Sequence, residues 1–284
     1  MMPDRSTPVP SLTDRPALMR NRARANALGP VDFLHRIVAD EIEDRRTEIN
    51  RQFTAPAVVT GLPDFWRAAM PDAKVVADTP ELDLEPGAHD LVVHAMALHW
   101  AEDPVGQIVQ CARALRPDGL FVAACPGGNS LQELRDVLTR AEAEVTGGLS
   151  PRVLPMAEIR DLGALLPRAG LALPVADSLR VPVSYPSMLA LMRDLRAMGE
   201  TNVLSDRLRR PTRRGVLAAA AADYAARHGD AEGRIPATFD LIVLTGVAPA
   251  ASQPQPLRPG SATSRLADAL ERPVSGFDAQ DREG

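Results

Sequence analysis

Lysine is almost missing from this chain: of 32 basic residues only Lys74 is one, and the rest are arginine. Together with abundant alanine and 26 prolines, this reads as a GC-rich coding bias rather than a functional choice of guanidinium over ammonium. Cysteine is scarce as well. Cys111 and Cys125 have no partners at metal-ligand spacing and fall in segments that read as buried helix and buried strand. Reduced core thiols are therefore expected, with no disulfide framework and no metal. No apolar run approaches the roughly 20 residues needed to span a bilayer, and the N-terminus lacks an apolar signal core. An excess of positive charge is absent too. A net charge of −5 and a pI near 5.6 argue against nucleic acid as a partner, because phosphate binding wants a basic surface. These absences together predict a soluble cytoplasmic protein without a transmembrane segment.

What is present is a chain of 284 residues, enough for one large α/β domain with flanking segments. Residues 1–30 read as a flexible basic segment. Its Arg15, Arg20, Arg22 and Arg24 are taken as a solvated helix face, with peripheral contact to an anionic membrane surface as the alternative. From 31 to 50, Phe33, Leu34, Ile37, Val38 and Ile42 recur at helical spacing. Strands are expected near 57–61 and 74–78, with a short helix at 63–70 between them. His89 to His94 is an apolar strand and Pro104 to Leu115 a helix. Arg116-Pro-Asp-Gly119 is a turn, and Leu120 to Cys125 is a further strand. Runs this apolar belong in a parallel sheet covered on both faces. Ser130 is the expected cap of a helix to about Val145, and a second helix runs from Ala157 to Ala169 before Gly170. Extended segments near 173–185 and 235–247 enclose a helical insert at 187–228. Residues 249–284 form a Pro-rich tail without a core of its own, with one short helix at 264–270.

The segment Asp90-Leu-Val-Val-His-Ala-Met-Ala-Leu-His-Trp100, followed by a helix and Leu115-Arg-Pro-Asp-Gly-Leu-Phe121, resembles the centre of class I S-adenosylmethionine-dependent methyltransferases. Further stretches narrow the likeness. They are Gly127-Gly-Asn-Ser-Leu-Gln-Glu-Leu-Arg135, Glu144-Val-Thr-Gly-Gly-Leu-Ser-Pro151, Asp161 to Gly170, Tyr185 to Glu200 and Pro236-Ala-Thr-Phe239. Together they resemble the methyltransferase-like assembly factors of respiratory complex I, known from mitochondria and alphaproteobacteria. Malonyl-acyl-carrier-protein methyltransferases share the earlier pieces but not Tyr185 to Glu200. The fold implied is Rossmann-like α/β, a mostly parallel sheet with a reduced N-terminal half and a helical insert before the last strand.

The reduction is legible at Val59-Thr-Gly-Leu-Pro-Asp-Phe-Trp66. The family pattern there is an acidic residue and three glycines, which let backbone approach the cofactor. This chain has only Gly61, and the short distance from Gly61 to Asp78 leaves room for one helix. A sheet with one strand fewer than the usual seven is predicted. The resemblance places Gly61, Asp78, His94, His99 and Trp100 around the cofactor position, with Asp78 at the adenine edge. A turn glycine, a solvated acid and core packing are the plain readings of Gly61, Asp78 and Trp100. S-adenosylmethionine is expected to bind weakly or not at all, because the glycine cradle and the ribose carboxylate are gone. On the insert, Tyr185, Arg193, Asp194 and Glu200 are assigned to a protein substrate or partner, a complex I subunit. Asp194 and Glu200 are placed at the surface, with Leu191, Leu195 and Met198 beneath them. The competing functions are a conventional methyltransferase of a small molecule or acyl carrier protein and a non-catalytic, chaperone-like binding protein.

Overall fold

The alternation of buried residues along His89–Ala95 shows how the domain is layered. In the computed structural model, which describes residues 11–49 and 51–253, this strand, β3, is buried at every position. Leu91, Val93 and Ala95 join one apolar cluster and Val92 joins another. A strand turns successive side chains to opposite faces, so a strand buried throughout has a helix layer on each side.

Among the described residues the sheet has six strands, in the order β2-β1-β3-β4-β6-β5. These are β1 (Pro56–Thr60), β2 (Lys74–Ala77), β3, β4 (Leu115–Gly127), β5 (Ala172–Tyr185) and β6 (Ile235–Val247). β2, β1, β3 and β4 run parallel, and β6 pairs antiparallel with both β4 and the edge strand β5. This is the mostly parallel, Rossmann-like α/β sheet of a methyltransferase fold, and its six strands match the reduced count expected. Between β1 and β2 there is one helix, α3 (Pro63–Ala69), opened by a proline in its first turn and bearing the fully buried Trp66.

One layer is built from α2 (Phe33–Glu48), α5 (Gln132–Thr146), α8 (Met188–Ala197) and α9 (Arg214–His228), which contribute Leu34, Val137, Leu191 and Tyr224 to the first cluster. The other layer is built from α4 (Pro104–Ala114), α6 (Ile159–Gly163) and α7 (Leu165–Arg168), through Ile108, Cys111, Leu162 and Leu166. Asp103 caps α4 by accepting from the Gly106 N–H at 2.8 Å, and Pro104 follows at the first turn.

Several local expectations change. Where the sequence predicts a flexible segment to residue 30, the structure has helix α1 (Arg15–Leu28), capped by Asp14 and anchored by the fully buried Leu18. Ser130 does not cap α5. Its hydroxyl donates to the carbonyls of Gly127 and Asp240, and the helix starts after Leu131, which is held at φ 55. The helix expected over 157–169 is two short ones that meet at Ala164, and Pro167 has no N–H to offer the Gly163 carbonyl across that join. The turn at 116–119 forms within β4, with Asp118 at φ 65. Most of the expected tail, including the helix at 264–270, lies outside the described residues.

Candidate functional site

In open α/β sheets the ligand end is the carboxyl end of the parallel strands. Here that end is marked by Gly61 after β1, Asp78 after β2 and Met96 after β3, and Met96 holds a left-handed φ of 53. Such strain in a residue with a side chain persists only where the surroundings fix it, and it concentrates at functional sites.

The space beside Gly61 belongs to Arg22 of α1. A Cβ at Gly61 would stand 2.2 Å from the Arg22 Cζ. A Cβ at Gly199, whose φ is +80, would stand 3.1 Å from the Arg22 Cγ. Arg22 is thus threaded between two glycines, one after β1 and one after α8, and each has no side chain where the arginine passes. Its Nη1 donates to Asp78 Oδ1 at 2.7 Å, with side-chain exposures of 8% and 5%. Arg15 adds a second bond to Asp78 Oδ2 at 3.2 Å and another from its Nη2 to the Asp78 carbonyl. The hollow remaining around Gly61 is about 10 Å³, room for one water. A class I methyltransferase cradle needs open backbone after β1 and a free carboxylate beside it. Here the glycine faces a guanidinium, and Asp78, the acid that the resemblance puts at the adenine edge, is already paired twice. These residues do not fit S-adenosylmethionine.

His94 and His99 end up apart. His94 lies on β3 in the α4 layer, fully buried, with Nε2 3.2 Å from Gln107 Oε1. Burial lowers its pKa, so the ring is neutral. His99 and Trp100 form a short 3₁₀ turn after β3 and meet Glu200. Trp100 Nε1 donates to Glu200 Oε2 at 2.6 Å, and His99 Nε2 lies 3.1 Å from the same oxygen. Burial pushes the Glu200 carboxyl up, but His99, Arg22 and the Trp100 donation outweigh it, and the pKa lies below the ordinary value. Glu200 is therefore not the surface acid expected. Gly199 turns the chain inward after α8, and the Glu200 side chain is 24% exposed.

The other insert residues separate by their place on α8. Arg193 is exposed, Asp194 is partly buried, and Leu191 and Leu195 face the core. Tyr185, at the end of β5, is buried, and burial followed by the charge of Asp194 raises its phenol pKa. Ser187 caps α8, its side chain accepting from the Ala190 N–H.

Beneath α8 and α9 lies a cavity of about 380 Å³. Leu134, Leu138, Met192, Leu195 and Phe239 supply its apolar wall, and His99, Trp100 and Glu200 contribute a polar end. A concave, mostly apolar space with a few convergent polar groups is the usual form of a binding site. Arg152, on its rim, is tied by two bonds of 2.8 and 2.7 Å to the buried Glu142. Among the described residues, no group of three or more His, Cys, Asp or Glu side chains could hold a metal ion.

Sequence reasoning missed Arg22. The signal was present, since Leu18, Arg22 and Ala25 fall at i, i+4 and i+7 and share the buried stripe of α1. It also missed Met96, whose backbone conformation has no signature in its residue type.

Comparison with known proteins adds the following. A family model described as a methyltransferase domain matches residues 44–123. The chain is 37% identical to the mitochondrial arginine-hydroxylase NDUFAF5 of Danio rerio over 220 residues, 78% of this chain and 68% of that one. Against the Homo sapiens protein of the same name the identity is 37% over 215 residues, 76% of this chain and 62% of the relative. A malonyl-[acyl-carrier protein] O-methyltransferase of Laribacter hongkongensis is 35% identical over 179 residues, 63% of this chain and 58% of that one.

Proposed function

This chain belongs to the methyltransferase-fold family of the NDUFAF5 arginine-hydroxylases, and from that premise we propose that it binds a protein partner rather than S-adenosylmethionine. The partner proposed is a subunit of respiratory complex I during assembly, following the resemblance carried by Tyr185 to Glu200, and the compartment is the cytoplasm. The observation that carries the reading is Arg22. Its guanidinium, paired with Asp78 and packed on Gly61, stands where a cofactor would have to sit. A conventional methyltransferase of a small molecule or acyl carrier protein needs that space.

The binding role passes to the cavity under α8 and α9. Glu200 Oε2 takes the bonds from both His99 and Trp100, which leaves Oε1 to accept from a ligand. A carboxylate held ionised at the end of an apolar cavity selects a cationic side chain, and a guanidinium gives it directed, charge-assisted bonds. The relatives are named arginine-hydroxylases, and an arginine of the partner is the side chain this cavity is proposed to take. Met192 and Leu195 cover its aliphatic stem, while Arg193 lies on the exposed side of α8, toward the partner's surface, and the partly buried Asp194 stays beside Tyr185. His99 and Trp100 position the carboxylate.

The test is recovery of complex I subunits with the tagged chain from cells making it as the sole copy. Glu200→Gln keeps the shape and removes the charge, and is expected to lower recovery and the amount of assembled complex I. Unchanged recovery and assembly with Glu200→Gln would overturn the reading.

A further inference from the structure

Five arginines crowd residues 207–214 of a chain whose net charge is −5, with Asp206 the one acid beside them. Arg207 and Arg209 are held by Asp14 at 2.8 and 3.4 Å. Arg210, Arg213 and Arg214 are exposed, with no side-chain partner among the described residues. Two of them sit where a cation is least welcome. Arg213 is the N-cap of α9 and Arg214 its first residue, with no acid in the first turn and no side-chain cap. The amino end of a helix carries partial positive charge, so these arginines weaken α9 and are not explained by stability.

The surface they stand on is concave. A hollow of about 230 Å³ lies between the end of α5 and the 208–213 loop, lined by Arg210 and Arg213 together with Leu149 and Leu208. Those leucines are 68% and 37% exposed. Arg152 and Leu208 line both this hollow and the 380 Å³ cavity that holds Glu200, so the two adjoin.

We infer that this hollow receives an acidic stretch of the partner polypeptide, next to the residue that enters the larger cavity. The inference rests on the proposed role of that cavity and adds a requirement for the partner's sequence: negative residues, with an apolar one among them, flanking the inserted side chain. Charge complementarity carries it. Uncompensated cations at a helix amino end are relieved by carboxylates, and the exposed leucines meet an apolar neighbour. The hollow is concave and adjoins a deep cavity, which fits a chain with side chains better than the flat face of a bilayer.

The experiment is fluorescence anisotropy with three short labelled peptides that share one central arginine. The flanks are glutamate and leucine, lysine and leucine, or serine and leucine. The glutamate peptide is expected to bind ~10-fold tighter than the serine peptide, with the advantage shrinking as salt rises. The double variant R210E/R213E, at exposed positions and with an acid now at the amino end of α9, is expected to keep or raise the melting temperature, to erase the advantage and to keep binding of the serine peptide. Equal binding of the three peptides, or an advantage that survives R210E/R213E, overturns the inference. So does R210E/R213E-sensitive binding to phosphatidylglycerol vesicles without any peptide preference, which reassigns the patch to a membrane. Glu200→Gln separates the two readings, because it should weaken all three peptides alike. If it changes nothing while the glutamate preference remains, the cavity reading fails and the docking surface stands.

Discussion

Replacing Arg22 tests the structural centre of this account. The arginine and Asp78 form an ion pair at 2.7 Å with side chains 8% and 5% exposed. Removing one member of a buried pair leaves the other charge uncompensated, at a cost of roughly 3–5 kcal/mol. Arg15 is 21% exposed and still reaches Asp78 Oδ2 at 3.2 Å, so the residual charge is part-neutralised and the lower end applies, about 3 kcal/mol. At about 2–4 °C per kcal/mol for a domain of this size, Arg22→Met should lower the melting temperature by roughly 6–12 °C. Methionine keeps much of the stem that packs on Gly199, which isolates the charge. The assay is urea unfolding of Arg22→Met, Asp78→Asn and the double variant, read as a cycle. Each single change should cost about 3 kcal/mol and the double clearly less than their sum, with a coupling of at least about 1.5 kcal/mol. Additive losses would mean that the two side chains do not depend on each other, and the plugged-cradle geometry would be refuted.

Three further outcomes follow from buried groups. His35 accepts from Trp66 Nε1 through Nδ1 at 3.0 Å, and burial lowers its pKa from 6.5 to about 4. Its folded pKa lies below the unfolded one, so the unfolded chain takes the proton first as pH falls. Stability should be full above 6.5, decline from 6.5 to about 4 and level off below. His35→Gln, which keeps an acceptor for Trp66, should flatten that part of the profile in thermal melts at stepped pH. Cys111 and Cys125 are fully buried and burial raises both thiols, Cys125 to about 12. Neither should react with Ellman's reagent in the native protein, and both should react in urea; rapid native labelling would show that the α4 layer opens. Gly199→Ala forces a side chain onto a φ of +80 beside the Arg22 backbone, 3.2 Å away. A loss of about 2 kcal/mol in urea unfolding is expected, and a neutral result would place Arg22 elsewhere.

The parts of the fold that could be read from the sequence are those in which hydrophobic pattern and structure say the same thing. The His89–Ala95 run could only be a strand covered on both faces, and Val105 and Ile108 marked the helix packed against it, although Leu115, counted with them, is the first residue of β4. The single helix between Gly61 and Asp78 followed from chain length alone. Local chemistry misled at Ser130, a good cap by residue type whose hydroxyl is instead taken by the Gly127 and Asp240 carbonyls. At the site, Glu200 lies about a hundred residues beyond the adjacent His99 and Trp100, and the three meet because Gly199 turns the chain inward after α8. Nothing in the spacing of 99, 100 and 200 encodes that meeting. Arg22 was hidden differently, by its charge. Counted with Arg15, Arg20 and Arg24 it looks like part of a solvated face, and its buried role depends on an acid 56 residues away.

The claim that the cradle after β1 is filled by the protein itself is tested most directly by calorimetric titration of S-adenosylmethionine into the unmodified chain. No binding heat is expected up to millimolar cofactor, because entry requires breaking the Arg22–Asp78 pair at a cost of about 3 kcal/mol before any contact forms. Saturable binding in the low micromolar range, abolished by Gly61→Val, would contradict it.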